Sequence, residues 1–285
     1  MTPLTFDVPG GPLHALRFGT GERTVLAVHG ISASAMAWAA VAAALPADWS
    51  LVALDLRGRG ASRDLPGPYG LATHADDVAT AATALGGPVA LAGHSMGAYV
   101  AALAASRRPE LFTTLTLVDG GVPLVLPGGV DPDEVLAATL GPALERLHTT
   151  YPSVEAYLDF YRAHPALGPS WDETIADYVR YDVLETPAGV RSRALEEAVR
   201  ADGRDLLVSA DVLDAALRAV PVPASLLVAP AGMFGQPPGL LPAEAVQRYD
   251  DELAGLRVET VPGTNHYTIL FDPAAARRVA EEVSR

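Results

Sequence analysis

Gly93-His94-Ser95-Met96-Gly97, a serine with glycine at i−2 and i+2, is the group in this chain best suited to covalent chemistry. The apolar run PVALAGH leads into it, and SMGAYVAALAASR, small and apolar at helical spacing, follows it. A strand that reverses this abruptly into a helix brings backbone segments too close for side chains at i−2 and i+2. The turn lifts the serine hydroxyl above a sheet. It also aims the Met96 N–H, at a helix N-terminus, toward a bound carbonyl oxygen. Such a serine is a nucleophile if a base stands beside it.

Seven histidines are present. His14, His74, His148 and His164 fall in segments with no supporting motif and read as surface or core residues. His266 follows the apolar run LRVETV and a Pro-Gly turn, and it precedes the last helical stretch. It therefore stands in a loop beyond the carboxyl end of a strand, where ligands meet open parallel sheets. The order of serine first and histidine last also suits a general base.

Composition removes competing chemistries. There is no cysteine, hence no disulfide, thiolate nucleophile or thiolate metal site. All twenty basic residues are arginine, which excludes a Schiff-base lysine and a phosphate-loop lysine. A net charge of −14 without a basic run disfavours nucleic acid and anionic membranes. The longest apolar stretch, AMAWAAVAAAL (35–45), is too short to span a bilayer, and the opening MTPLTFDVPGG lacks the features of a secretory signal. A cytoplasmic location is expected. No metal and no organic cofactor is implied, and the expected partner is a small molecule. The oligomeric state is left open.

These residues need a scaffold, and the apolar pattern supplies one. TFDVPGGPLHALRFG (5–19) reads as two short strands about a turn. RTVLAVHG, SLVALDL, PVALAGH and FTTLTLVDGG then read as buried strands, alternating with helices over 33–45, 73–85 and 95–107. Thr73 and Asp76 have the spacing of a capping box at the start of the second of these helices. Between 121 and 220 no buried strand is evident, only amphipathic helical stretches separated by prolines. Alternation resumes at ASLLVAP (224–230). The expected fold is α/β, a doubly wound and mostly parallel sheet, with a helical cap inserted between two consecutive strands. Its parts are a first core segment 1–121, the cap 122–220 and a second core segment 221–285.

Four motifs together resemble the α/β-hydrolase superfamily in its capped form: HGISASAMAW (29–38), DLRGRGAS (55–62), GHSMGA (93–98) and GTNHYTIL (263–270). The resemblance covers most of the chain outside the insertion. It implies a serine hydrolase with Ser95 as nucleophile, His266 as base, and an oxyanion hole of the Met96 and Ile31 backbone N–H groups, with Ser32 an alternative to Ile31. It makes His29 and His94 structural or pocket-lining residues, carried here as candidate substrate contacts. The superfamily most often places its acid in the loop after the strand that follows the insertion, yet residues 231 to 242 contain no Asp or Glu. Some members take the acid from the preceding strand, whose end here is Asp119; the rival reading of Asp-Gly-Gly is a simple turn. Asp250 and Asp251 read as solvent-facing, Asp55 as a buttress of its own loop with Arg57, and Glu244 as a remote alternative.

Serine at the elbow argues against the dehalogenases and epoxide hydrolases of this fold, which use aspartate. The expected function is cleavage of a small or medium apolar ester, of carboxylesterase or lactonase type. An acyl-thioesterase and a low-turnover ligand-binding receptor are the alternatives. A dinucleotide-binding protein is disfavoured, because HGISAS offers one glycine where that motif needs three.

Overall fold

A computed structural model describes residues 1–126 and 128–285. The chain opens with the antiparallel pair β1 (Thr2–Val8) and β2 (Gly11–Phe18). β3 (Arg23–Val28), α1 (Ala39–Ala43), β4 (Trp49–Leu54), α2 (Leu71–Ala84), β5 (Val89–His94), α3 (Met96–Arg107) and β6 (Phe112–Val118) alternate after it. α4 (Pro132–His148), α5 (Val154–Arg162), α6 (Glu173–Tyr181), the hairpin β7 (Val183–Thr186) and β8 (Gly189–Ser192), α7 (Glu196–Val208) and α8 (Ala210–Arg218) then intervene. β9 (Ala224–Val228), α9 (Ala243–Glu252), β10 (Leu256–Thr260), α10 (Thr268–Phe271) and α11 (Pro273–Val283) complete the chain.

The main sheet has eight strands in the order β1-β2-β4-β3-β5-β6-β9-β10. β2 is antiparallel to β4, and every pairing from β4 to β10 is parallel. Central strands are buried on both faces, so alternate residues feed two cores. Leu26 and Val28 of β3 join the core under α2, α3, α8 and α9, whereas Val25 and Ala27 join the one under α1, α10 and α11. α3 buries every residue from Met96 to Ala105. Its alanines and glycine let it lie close against the sheet, as the small-residue pattern requires. Among the described residues no helix is long and apolar enough to cross a membrane.

β6 pairs directly with β9, so the whole segment between them is an insertion between two neighbouring strands. Three details differ from the expected layout. The insertion contains a two-stranded hairpin, β7–β8, which is separate from the main sheet and is joined by an antiparallel bridge from Tyr151 to Val190. α8, inside the range 122–220, packs Leu213, Ala216 and Leu217 into the core beneath the sheet, so it belongs to the helical layer on the sheet rather than to the rest of the insertion. α2 starts at Leu71, not at Thr73. Its first N–H groups are met from a distance: Asp202 accepts from Gly70 N–H at 2.6 Å and Asp205 from Leu71 N–H at 2.8 Å. Two carboxylates of α7 thus do the work expected of a local box.

Asp55 does buttress its loop, accepting from Ala35 N–H, Ala61 N–H and the Tyr181 hydroxyl. Arg57, however, turns away from it to a buried bidentate pair with Asp77, with Nε–Oδ2 at 2.6 Å and Nη2–Oδ1 at 2.8 Å. Arg57 also donates to the Pro9 and Pro66 carbonyls, which ties the first hairpin to the β4 loop. Asp77→Ala leaves this guanidinium buried and unpaired. It should cost about 3–5 kcal/mol of stability, measured as a lower urea midpoint.

Candidate active site

Ser95 sits between β5 and α3 with φ 55° and ψ −125°, a conformation unfavourable for a residue bearing Cβ. Ser95 N–H donates to Val118 C=O, and its own carbonyl accepts from Ala98 N–H, which holds the turn in place. A Cβ on Gly93 would lie 2.2 Å from Gly97 O, and one on Gly97 would lie 2.3 Å from Val28 O. Glycine at both positions is therefore a packing requirement.

His266 Nε2 lies 3.0 Å from Ser95 Oγ, and His266 Nδ1 lies 2.6 Å from Asp119 Oδ2. Asp119 directly follows β6, is fully buried, and has φ 44°, in the left-handed region that Asp and Asn tolerate best. Its N–H donates to Leu227 C=O at 2.7 Å and its Oδ1 accepts from Ala229 N–H at 3.0 Å. The carboxylate thus has one oxygen anchored to the neighbouring strand end and the other directed at the imidazole. Glu244, Asp250 and Asp251 are exposed.

The loop that carries His266 is fixed by a neighbour the sequence motif did not single out. Asn265 Oδ1 accepts from Tyr267 N–H and Thr268 N–H, and its Nδ2 donates to Ala166 C=O in the insertion. An Asn ahead of a short helix has the chemistry of a cap, and that was the available signal.

His94 also faces this loop. Its Nε2–H donates to His266 C=O at 2.8 Å, and the two rings lie 4.8 Å apart. Burial, followed by the neighbouring His266, lowers the His94 pKa to about 3, so the ring stays neutral. His29 behaves differently from a substrate contact. Its Nε2 accepts from Leu56 N–H and its Nδ1–H donates to Gly30 C=O at 2.7 Å, so both nitrogens are engaged by backbone. It is fully buried and lies outside the cavity lining. Its pKa is likewise lowered by burial to about 3.

Two histidines held neutral in the fold have a consequence for acid stability. Below the ordinary value of 6.5 the unfolded chain takes up protons that the folded chain refuses. Their stabilisation is therefore complete above about pH 6.5 and is lost as pH falls toward 3. Asp55, whose carboxyl is pushed up by burial, works in the opposite direction but is outnumbered by the two histidines. The stability read from urea unfolding should therefore fall between pH 7 and pH 5.

Ser95 and His266 open onto a cavity of about 300 Å³, with Asp119 buried behind the imidazole. Gly30, Ile31, Ser95 and Met96 form its floor, and leucines of the insertion, including Leu124, Leu136 and Leu206, form much of its roof. Met96 is the first residue of α3, so its N–H has no acceptor within the helix. Among the described residues no group of three or more His, Asp or Glu is placed to hold a metal ion.

Residues 25–282 match the alpha/beta hydrolase family. The chain belongs to that family. Among its relatives is the N-formylmaleamate deformylase of Pseudomonas putida, 31% identical over 195 residues that cover 64% of this chain and 72% of the relative. A lipase of Mycobacterium tuberculosis is 35% identical over 118 residues, covering 39% of this chain and 43% of that protein. The solved structure of E-2-(acetamidomethylene)succinate hydrolase shares the fold with a TM-score of 0.82, at 22% identity, over 99% of this chain and 98% of its own. As an alpha/beta hydrolase, the protein has the parallel sheet and interrupted strand order that its motifs imply.

Proposed function

We propose that the protein is a serine hydrolase that cleaves small or medium apolar carboxylic esters, lactones included, through an acyl-enzyme on Ser95. The observation that carries this reading is the chain Ser95 Oγ–His266 Nε2–His266 Nδ1–Asp119 Oδ2, at 3.0 and 2.6 Å, at the floor of an apolar cavity.

In the proposed cycle His266 Nε2 takes the Ser95 proton as Oγ attacks the ester carbonyl. The Met96 and Ile31 N–H groups receive the charge that develops on the carbonyl oxygen. Asp119 stabilises the imidazolium and keeps Nδ1 protonated. His266 then returns the proton to the departing alcohol. A water molecule next gives its proton to His266 and attacks the acyl carbon, and Ser95 leaves with that proton. The helical insertion acts as a cap whose leucines take up the acyl or alcohol chain. His94 lines the cavity as a candidate substrate contact and also holds the carbonyl of His266.

The alternatives lose support at particular residues. A low-turnover receptor drew its support from the missing acid after β9, and the Asp119 carboxylate 2.6 Å from His266 Nδ1 supports turnover instead. Acidic amide substrates, suggested by the name of the Pseudomonas relative, call for a free cation. Arg146 borders a side chamber of about 40 Å³, but its Nη1 is already paired with Asp182. The test is a panel of p-nitrophenyl esters of two to ten carbons, a lactone, an acyl-thioester and an N-formyl amide, each run with Ser95→Ala alongside. Turnover of uncharged esters that vanishes in Ser95→Ala supports the reading. A preference for the N-formyl amide would overturn the substrate assignment.

A further inference from the structure

Three successive carbonyls of the loop after β3 are each tied down. Gly30 C=O accepts from His29 Nδ1–H at 2.7 Å and from Ala33 N–H at 3.2 Å. Ile31 C=O accepts from Arg59 Nε–H at 2.9 Å. Ser32 C=O accepts from Arg146 Nη2–H at 3.1 Å. A trans peptide is planar, so fixing one carbonyl fixes the N–H of the next residue in the opposite direction. The Gly30 carbonyl therefore sets the Ile31 N–H, and the Ile31 carbonyl sets the Ser32 N–H. Those are the two candidate donors to the developing oxyanion. Arg59 acts on the Ser32 N–H directly, and Arg146 acts on the Ile31 N–H through the Ser32 carbonyl, whose peptide carries the Ala33 N–H that holds the Gly30 carbonyl.

The two arginines come from opposite sides of the site. Arg59 lies in the loop after β4 and Arg146 on α4 of the insertion. Both are buried, and a lone buried guanidinium is costly. Each is compensated by an aspartate of the insertion. Arg59 Nη1 lies 2.6 Å from Asp202 Oδ2, with neither side chain exposed. Arg146 Nη1 lies 2.5 Å from Asp182 Oδ2 and 2.8 Å from Ser192 Oγ, and it also meets the Tyr157 hydroxyl. Burial opposes ionisation of Asp202, but Arg59, His74 and the Gly70 N–H outweigh it and hold its pKa at about 2.

We propose that Arg59 and Arg146 are positioning residues for the oxyanion loop, and that the cap holds both through Asp202 and Asp182. The cap is then part of the device that aims the backbone donors, besides being a roof over the substrate. This rests on the serine-hydrolase reading. Lysine at either position keeps the charge beside its aspartate, but a single ammonium cannot reproduce the fork that reaches both the aspartate and the loop carbonyl.

The experiment compares Arg59→Lys and Arg146→Lys with the parent protein on its best p-nitrophenyl ester. Two inhibitors of the same chain length are included: a trifluoromethyl ketone, which adds Ser95 and develops an oxyanion, and the corresponding ether, which does not. The expected result is a kcat lower by about 10- to 100-fold, with a parallel loss of ketone affinity, while KM and ether affinity stay within about twofold. A kcat within twofold of the parent overturns the proposal. So does an equal loss of ketone and ether affinity, which would mean that the cap has merely loosened. If a lysine variant fails to fold, the charge-free pair Arg59→Met with Asp202→Leu is judged by the same ketone-to-ether ratio. Ser95→Ala in the same assay separates the two ideas. Residual turnover there sinks the serine-hydrolase reading, whereas unchanged lysine variants of a Ser95-dependent enzyme sink only the positioning role.

Discussion

Ser95→Ala should lower kcat for ester hydrolysis by on the order of 10⁶-fold and abolish covalent labelling by a fluorophosphonate probe. The strained turn at φ 55° is held by Gly93 and Gly97 and by the Ser95 backbone bonds, none of which involves Oγ. Alanine therefore keeps the fold, and the loss reports chemistry rather than unfolding. KM should change little, because the cavity walls are made by other residues. Labelling that persists in the alanine variant, located to another residue by mass spectrometry, would remove Ser95 from the nucleophile's role.

Asp119→Asn should fold normally and lower kcat by about 10²–10⁴-fold. Asparagine tolerates the left-handed backbone at φ 44° as well as aspartate does. Its carbonyl oxygen can keep the bond from Ala229 N–H, which leaves the amide NH₂ facing His266 Nδ1. That arrangement requires Nδ1 to accept, so the ring carries its proton on Nε2 and can no longer take one from Ser95. Asp250→Asn and Asp251→Asn, both at exposed positions, serve as controls and should stay within about twofold of the parent. A silent Asp119→Asn beside an inactive variant elsewhere would move the acid to that other residue.

The sheet and the elbow could be read in advance because their signals are local and steric. Gly-x-Ser-x-Gly marks a turn whose close approaches, Gly93 to Gly97 and Gly97 to Val28, leave no room for a side chain, and buried strands announce themselves as apolar runs. Asp119 came from the resemblance, which allows an acid at the end of the preceding strand when, as here, residues 231–242 hold no carboxylate. What escaped the sequence was set by partners distant along the chain. α2 begins where Asp202 and Asp205, more than 130 residues away, meet its first N–H groups, and nothing near Gly70 signals that. Arg57 was matched to Asp55, two residues away, although Asp77 completes a bidentate pair with it. His29 was taken for a pocket residue because motif membership says nothing about which way a ring faces. α8 was assigned to the cap because an amphipathic helix does not show in its own sequence which layer receives its apolar side.

The loop after β9 forms a wall of the cavity through Met233 and Leu240 yet carries no acidic residue. With the roles proposed for Ser95, His266 and Asp119, turnover and selectivity reside on separate stretches of chain. Asp119 is anchored by Leu227 C=O and Ala229 N–H at the base of that loop, before the residues that line the cavity. Residues 232–240 are therefore a natural cassette for directed evolution. Libraries there can vary loop length and bulk to change which acyl chains are accepted, with the proton relay left as a constant.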